Sequence, residues 1–408
     1  MSTMPVILQI IPKLDTGGAE RTVIEVAEAV RMAGGQALVA SEGGRLEAEL
    51  AAAGGELIRL PAAAKNPLTL LANARTLEKL IAERGVSLVH ARSRAPAWSA
   101  LMAARRANVP FVTTYHGVYN QKGALKAWYN SVMARGDRVI ANSHYTAGIV
   151  RQRHRTPDER LIVIQRGVDL AQFSSDAVTA ARIAALRARW GVDEKARLVV
   201  LAARLTRWKG QHVAIGAASQ LRTRPGFDDV VFILAGDDQG RTAYREELAA
   251  RIETLGLGHG VRLTGHCDDM PAAFATASLA LVTSIEPEAF GRISVEAQAM
   301  GCPVIVSDLG APPETIDAAA PTGWTVRPDD ETALADAIAA ALSLGAAKRA
   351  AIARAARHHA ATYFSKAQLQ RRTLEVYDTL LATGLAQALD QKLWANEDSM
   401  PSRARIPV

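Results

Sequence analysis

Two glutamates lie eight residues apart in the segment from Glu286 to Pro303. Eight residues are close to two helical turns, so a helix that begins near Gly291 would leave Glu288 in the preceding loop and carry Glu296 in its second turn. The free amides at the start of such a helix attract a phosphate group. The carboxylates of Glu288 and Glu296 would then be available to the hydroxyls of a sugar or a ribose, although either glutamate alone reads more simply as a solvated surface residue.

Two cations occupy an earlier strand-to-helix loop. Arg204 and Lys209 are five residues apart and follow the apolar run RLVVLAA, which begins at Arg197. Arginine binds a phosphate through a planar fork and lysine acts as a point charge, so this pair is suited to clamp a diphosphate. The structural alternative is a pair of exposed surface cations.

The N-terminal half offers a glycine pair and a histidine. Gly17 and Gly18 follow the first apolar run, and His116 ends the run FVTTY. Adjacent glycines allow the backbone to approach a ligand closely, although they also suit a tight turn. The loop is not a Gly-x-Gly-x-x-Gly fingerprint, which argues against a dinucleotide. His116 is a candidate site residue because it ends a strand at the edge where ligands bind, although a lone histidine is more often structural.

These residues follow twelve strand-like runs that alternate with Ala-rich helical stretches. Continuous apolar runs are typical of strands buried on both faces, and the alternation predicts an α/β fold with doubly wound parallel sheets. In such sheets, ligands bind beyond the carboxyl ends of the strands. We predict an N-terminal domain over 1–170, a C-terminal domain over 171–364, a helix over 365–390 that returns to the N-terminal domain, and a disordered tail over 391–408.

The composition excludes several classes of protein. The chain has 408 residues, of which 49% are hydrophobic, so two globular domains are expected and a wholly disordered chain is excluded. Its two cysteines, Cys267 and Cys302, cannot form a disulfide framework and suit a reducing compartment. No signal peptide and no membrane-spanning segment is evident, which predicts a cytoplasmic protein. The absence of Asp-x-Asp, of a His/Cys cluster and of Gly-x-Ser-x-Gly predicts a site without a metal or a serine nucleophile.

The positive charge is concentrated in one segment. Residues 92–166 contain 13 Lys/Arg and three Asp/Glu, a net charge of +10 within a chain whose total is +7. Within this segment, residues 123–135 predict an amphipathic helix that carries Trp128 and Tyr129. Such a helix suits an anionic membrane surface, although ordinary core packing would explain the two aromatics equally well. The aromatics do not form a stacking platform, so nucleic acid is not an expected partner.

Together these residues resemble the retaining glycosyltransferases of family 4 (group 1), which have the GT-B fold. The resemblance covers nearly the whole chain, and its most specific part is the E-x7-E motif of Glu288 and Glu296. The other residues that carry it are Phe290–Gly291, Gly301–Pro303, Arg204, Lys209–Gly210, Ala235–Gly236, Gly265–His266, Gly17–Gly18, His116–Gly117, Ala141–Ser143 and Gly167–Asp169.

The resemblance implies two facing Rossmann-like domains with the nucleotide-sugar mainly on the C-terminal one and the acceptor mainly on the N-terminal one. The implied catalytic residues are Glu288, which holds sugar hydroxyls, His116, and the diphosphate-binding Arg204 and Lys209. The implied substrate-binding residues are Gly17, Gly18, Gly236, Gly265, His266, Ala289, Phe290, Gly291, Arg292 and Glu296, the last on the ribose. No cofactor is expected, because the UDP- or GDP-sugar is a substrate.

The implied acceptor is a glycan or a lipid-linked molecule of the bacterial envelope, such as lipopolysaccharide, which would place the protein at the inner face of the cytoplasmic membrane. Two departures from the family pattern concern the donor sugar. The loop Leu309–Pro313 lacks the usual Gly-Gly pair, and Ala289 stands where glycine is frequent.

Three other functions fit parts of the pattern. A nucleotide-sugar epimerase or phosphorylase can share this architecture, and a two-domain sugar-binding protein can close on a ligand without chemistry. A glycosidase also uses two carboxylates but has no need of a diphosphate clamp. The combination of both glutamates with both cations favours the transferase.

Overall fold

The computed structural model describes residues 4–15, 17–240 and 242–398. Its strands are β1 (Val6–Ile10), β2 (Gln36–Ser41), β3 (Glu56–Arg59), β4 (Val86–Ala91), β5 (Phe111–Tyr115), β6 (Arg138–Ala141), β7 (Leu161–Val163), β8 (Arg197–Ala202), β9 (Val230–Ala235), β10 (Val261–Gly265), β11 (Ala277–Val282), β12 (Val304–Ser307) and β13 (Gly323–Val326). Its α-helices are α1 (Gly18–Met32), α2 (Glu47–Ala52), α3 (Pro67–Arg84), α4 (Arg94–Arg106), α5 (Ala124–Asn130), α6 (His144–His154), α7 (Ala180–Trp190), α8 (Gln211–Arg222), α9 (Thr242–Thr254), α10 (Met270–Thr276), α11 (Arg292–Ala299), α12 (Glu331–Leu342), α13 (Ala346–Tyr363), α14 (Lys366–Leu381) and α15 (Leu385–Asp398).

The strands form two separate parallel sheets. The first has the order β3-β2-β1-β4-β5-β6-β7 and the second has the order β10-β9-β8-β11-β12-β13. In each sheet the strand order reverses beside the first strand, β1 or β8, and ligands of doubly wound folds bind at such a switch point. The predicted α/β class with two doubly wound parallel sheets is confirmed.

Each sheet is covered on both faces, which explains why its strands read as continuous apolar runs. In β1, Leu8 and Ile10 belong to one hydrophobic cluster, whereas Ile7 belongs to the cluster on the opposite face. In β8, Val200 and Val199 divide in the same way between the two clusters of the second sheet.

The chain divides into two compact units at positions close to the expected boundaries. The first unit contains the described residues up to Arg166 and those from Lys366 onward, and the second unit is Gly167–Ser365. The chain passes from the first unit to the second after Arg166, four residues before the expected position 170, because Val168 is fully buried in the second unit. The Val168 amide donates to the Phe364 carbonyl at 2.7 Å within that unit.

The single helix predicted over 365–390 is two helices, α14 and α15, which belong to the first unit and extend further than expected. On α14, Lys366 forms an ion pair with Glu28 at 3.3 Å, and the Gln370 amide donates to the Glu25 carbonyl of α1 at 2.8 Å. Helix α15 runs to Asp398, so the prediction of a disordered tail from 391 is wrong for its first eight residues. The apolar face of this helix includes buried Leu389 and partly buried Leu393, and it packs into the core. Residues 399–408 lie outside the described part of the chain.

Two local predictions also need correction. Strand β13 was not among the twelve predicted strands, because GWTV is short, begins with glycine and lies at the edge of its sheet. The amphipathic helix predicted over 123–135 is the seven-residue α5, followed by a 3₁₀ turn over Ser131–Ala134.

Candidate active site

An ion pair joins the loops that follow β8 and β11. Lys209 Nζ lies 2.6 Å from Glu288 Oε1, and their side chains are only 17% and 11% exposed. Ser284 Oγ also donates to Glu288 Oε1. Because both bonds reach the same oxygen, Glu288 Oε2 is the atom that can accept a hydrogen bond from a ligand hydroxyl. The pair lines a cavity of about 130 Å³ together with Ser284, Gly291 and Arg292.

A glycine allows the two loops to touch. Gly210 has a φ of +71°, and a Cβ atom there would lie 1.9 Å from the Thr283 carbonyl oxygen. The Thr283 hydroxyl donates in turn to the Lys209 carbonyl at 3.1 Å. The left-handed conformation of Gly210 therefore brings the backbone of Lys209 against the end of β11, next to Glu288.

The loop after β12 supports Glu288 from the other side. Gly310 and Glu288 form an isolated parallel bridge, and the Ala311 amide donates to the Glu288 carbonyl at 3.0 Å. Gly310 has a φ of +74°, and a Cβ atom there would lie 2.7 Å from the Glu288 backbone. The departure from the family pattern over Leu309–Pro313 therefore lies directly beside a candidate catalytic residue.

Helix α11 places the second glutamate as its spacing predicts. Gly291 is the N-cap, Arg292 is the first helical residue, and Glu296 lies in the second turn with 7% of its surface exposed. Arg292 Nε lies 2.7 Å from Glu296 Oε1. The Phe290 ring packs in the core against Phe364, so this residue would contact a ligand through its backbone.

The structure separates the two cations of the predicted clamp. Lys209 lines the cavity with Glu288, whereas exposed Arg204 lines a neighbouring cavity of about 550 Å³ with Arg207, Trp208 and Tyr244. In the part of the chain that the structure describes, the Arg204 guanidinium makes no ion pair. Its backbone carbonyl accepts a hydrogen bond from the Gln211 amide at 2.9 Å.

The remaining predicted residues of the second unit lie at strand ends or in the loop with Glu288, and they do not line the 130 Å³ cavity. A Cβ atom at Gly236 would lie 1.8 Å from the Ala203 carbonyl oxygen, so this glycine permits a close approach of two loops. Gly265 ends β10 with a φ of +71°. His266 forms an exposed pair with Asp268 at 3.0 Å, and Ala289 is half-buried beside Glu288.

The first unit brings its predicted residues together around an arginine. Gly17 is the N-cap of α1, and a Cβ atom at Gly18 would lie 1.9 Å from Arg166 Nη1. Arg166 Nη2 lies 3.3 Å from His116 Nδ1. The other ring nitrogen of His116 is buried and has no hydrogen-bond partner within the described residues.

A buried polar network lies beneath this region, and the sequence analysis did not find it. His90 accepts or donates hydrogen bonds at both ring nitrogens, at 2.6 Å to the Tyr377 hydroxyl and at 2.7 Å to the Thr114 hydroxyl. Arg92 donates to Gln9 Oε1 through two nitrogens, at 2.9 and 2.6 Å. The sequence feature that could have revealed this network is the pair of polar residues His90 and Arg92, in and just after the apolar run SLVHA.

Burial makes the first unit sensitive to acid. Burial and the nearby arginine charges hold the pKa values of His90 and His116 well below the ordinary value of 6.5. Both histidines therefore stay neutral in the folded unit at a pH where the unfolded chain binds protons. Unfolding takes up these protons, so stability is expected to fall as the pH drops below about 6.5.

We expect each histidine to remove about 1.4 kcal/mol of stability between about pH 7.5 and about pH 5.5. Hydrogen exchange of peptides from β4 and β5 in the first unit measures this change. A His90→Gln variant should take up one proton fewer on unfolding, so its free energy of unfolding should fall less steeply as the pH drops. An unchanged pH dependence in that variant would contradict the assignment.

Ser284 is a further residue that the motif did not single out. Its hydroxyl donates to the carboxylate oxygen that Lys209 also contacts, so it fixes the orientation of Glu288. We expect Ser284→Ala to lower kcat about tenfold, because a hydrogen bond to a charged group is lost. Steady-state kinetics with the donor test this, with Ser343→Ala on the surface as the control. Equal kcat values for the two variants would remove Ser284 from the site.

The structure also bears on metals and membranes. Within residues 4–15, 17–240 and 242–398, no group of three or more His, Cys, Asp or Glu side chains is placed to hold a metal ion. Of the helices described, none combines the length and the apolar character that crossing a membrane requires.

Comparison with known proteins places both halves of the chain in one group. The profile of Glycosyltransferase Family 4 matches residues 16–172, and that of Glycosyl transferases group 1 matches residues 183–359. A D-inositol 3-phosphate glycosyltransferase of Salinispora tropica is 32% identical over 312 residues, which are 69% of this chain. The match spans 61% of the length of that relative.

Solved structures agree with this over most of the chain. A glycosyltransferase from Rickettsia africae has a TM-score of 0.86 and 33% identity, with 94% of this chain and 100% of that chain covered. Anabaena HepE in complex with UDP and glucose has a TM-score of 0.79 and 25% identity, with 92% and 100% covered. The protein therefore belongs to the group 1 glycosyltransferases of family 4, which have the GT-B fold.

Proposed function

We propose that this protein is a retaining, metal-independent glycosyltransferase that moves a sugar from a UDP- or GDP-sugar to a glycan or lipid-linked acceptor. The observation that carries the proposal is the partly buried pair of Lys209 and Glu288 at the switch point of the second sheet. A lysine charge there suits a departing diphosphate, and a carboxylate suits sugar hydroxyls. An epimerase or a non-catalytic sugar-binding protein has less need of this combination.

In the proposed reaction, the bond between the anomeric carbon and the diphosphate oxygen breaks. The acceptor oxygen bonds to the anomeric carbon on the same face, and its proton passes to the leaving phosphate. Lys209 stabilises the negative charge that develops on the leaving group, and Glu288 orients the sugar. Fixed charges of this kind each contribute on the order of 3–4 kcal/mol to catalysis.

Among donors, we favour a UDP-sugar. The support is the similarity to Anabaena HepE, whose structures hold UDP, glucose and UDP-glucose. The experiment is a screen of UDP- and GDP-sugars that follows nucleoside diphosphate release with and without EDTA. Selective release that survives EDTA and is lost in Glu288→Ala supports the proposal. Nucleotide binding without release in the presence of any acceptor would favour the sugar-binding protein, and a changed sugar on the nucleotide would favour the epimerase.

We further propose that the protein acts in the cytoplasm at an anionic membrane surface, in envelope polysaccharide synthesis such as that of lipopolysaccharide. The segment 92–166 supports this through its charge of +10. In α5, Leu125 is 86% exposed and Trp128 is 58% exposed, although Trp128 also stacks on Trp98. Co-sedimentation with anionic liposomes tests the proposal. Leu125→Ser should weaken pelleting, whereas Leu255→Ser in the second unit should not.

A different acceptor has its own support. The curated relatives are named for D-inositol 3-phosphate, a soluble phosphorylated polyol. Adding this compound to the donor screen decides between the two acceptors. Faster release with D-inositol 3-phosphate favours the soluble acceptor, and faster release with a lipid-linked glycan favours the membrane reaction.

A further inference from the structure

We infer that the first unit contains a binding site for a phosphate group carried by the acceptor, with Arg92 and Arg94 as its principal cations. The inference rests on the proposed function only in calling the ligand an acceptor. The site is the part of a cavity of about 420 Å³ that is formed by the loops after β4 and β5.

The first observation is a concentration of arginines around two residues of that cavity. The Arg94 guanidinium lies 4.0 Å from the centre of the Tyr119 ring, and Arg153 donates to the Tyr119 carbonyl at 2.6 Å. Arg166 lies 3.3 Å from His116, and the charge of Arg92 also acts on that histidine. Two arginines therefore line the cavity and two more contact its lining residues, and such a concentration of positive charge attracts anions.

The second observation concerns the partners of Arg92. This side chain is only 2% exposed, and its hydrogen bonds to Gln9 and Thr114 go to neutral groups. The charge of Glu25 acts on Arg92 from a distance, but in the part of the chain that the structure describes no carboxylate oxygen lies within 4.0 Å of this guanidinium. A buried cation without a paired anion is costly, and proteins accept that cost where a ligand supplies the anion.

Other arginines of the same unit show the contrast. Arg105 forms a two-pronged ion pair with Asp137, at 2.8 and 2.9 Å, and Arg84 pairs with Glu56 in the same way. Within the described residues, Arg94 has no such carboxylate partner and instead donates to the amide oxygen of Asn130 at 2.8 Å. Arg92 and Arg94 are thus held in position by neutral groups, and within the described residues neither is paired with a carboxylate.

The lining of the cavity also contains carboxylates. Asp15 and Lys13 of the loop after β1 line it, as does Glu20 in the first turn of α1. An anion is therefore expected beside Arg92 and Arg94, and the hydroxyls of the same ligand are expected beside the carboxylates. A phosphate matches the two arginines best, because its two negative charges and its oxygens suit two forked guanidinium groups.

The test measures binding to the intact protein and does not depend on turnover. Thermal shifts and calorimetry would follow inorganic phosphate, D-inositol 3-phosphate, unphosphorylated inositol, UDP and GDP. We expect Arg94→Gln to weaken both phosphate-bearing probes by roughly tenfold to a hundredfold. Inositol should bind weakly and equally to both proteins, and UDP affinity should not change. Arg106→Gln, on the same helix, is the matched control.

Arg92→Lys is the second variant, because Arg92→Met is at risk of unfolding. This variant keeps the positive charge but loses the planar guanidinium group, so it should weaken the binding of the phosphate probes less than Arg94→Gln does. Vesicles that contain phosphatidylinositol, compared with phosphatidylcholine vesicles, identify the source of the phosphate. Binding that depends on Arg94 with the vesicles alone assigns it to a lipid headgroup, and binding with the soluble probes assigns it to a free sugar phosphate.

Three results would overturn the inference. They are equal affinity of D-inositol 3-phosphate and inositol, phosphate binding that is unaffected by Arg94→Gln, and a loss of UDP affinity in that variant, which would assign the arginines to the donor. Failure of the proposed function looks different. In that case neither UDP nor GDP binds, while the phosphate probes still do.

Discussion

Lys209→Ala is expected to lower the turnover of the donor by about 10²–10³-fold, because it removes the cation proposed to stabilise the leaving diphosphate. The loss should appear in kcat more than in KM, since the charge on the leaving group is greatest in the transition state. Nucleoside diphosphate release under saturating donor measures the effect. Lys195→Ala, an exposed lysine of the same unit, should retain full activity.

The ion pair allows a sharper test of the same idea. Glu288→Gln keeps the shape of the side chain and the hydrogen bond from Ser284, but it removes the charge that Lys209 faces at 2.6 Å. Because the two residues act on one ligand, the double variant should lose far less than the product of the two single losses. Fully additive losses with intact folding would show that the pair is not a functional unit. Thermal unfolding of each variant separates lost activity from lost structure, since an unpaired and partly buried charge also destabilises.

Gly210→Ala is expected to destabilise the second unit by roughly 3–5 kcal/mol. The substitution adds a Cβ atom 1.9 Å from a backbone oxygen of Thr283, in a conformation with a φ of +71°. Neither atom belongs to a flexible side chain, so the loop after β8 must move away from β11. Urea unfolding measures the change, and the displaced Lys209 should also reduce donor affinity.

The control for this substitution is another left-handed glycine. Gly191 has a φ of +62°, but a Cβ atom there would meet nothing within 4 Å. Gly191→Ala should therefore lower the free energy of unfolding by only about 1–2 kcal/mol, which reflects the left-handed conformation alone. Equal losses in the two variants would mean that the contact with Thr283 does not matter.

Local sequence patterns predicted twelve of the thirteen strands that the structure describes. Continuous apolar runs indicated strands with two covered faces, and their alternation with helical stretches indicated parallel sheets. The eight-residue spacing from Glu288 to Glu296 also placed α11 correctly, with Gly291 as its N-cap. These predictions succeeded because hydrophobic period and capping act over a few neighbouring residues, and the chain carries that information along its length.

The pattern failed where a neighbour distant in the chain supplies the stability. Strand β13 is short and is held by β12, and the last turns of α15 are held by the core of the first unit. Neither segment has a strong pattern of its own, so tertiary packing decided both.

The sequence by itself determined the family, the two parallel sheets and the residue types that end their strands. Only the tertiary structure decided which of these residues meet. It paired Lys209 with Glu288 and left Arg204 in a neighbouring cavity, although both cations lie on one loop. It also joined His90 to Tyr377, which are 287 positions apart. The physical reason is that such contacts depend on strand order, on register and on close loop approaches such as that of Gly210, none of which is encoded by the spacing of the residues that finally touch.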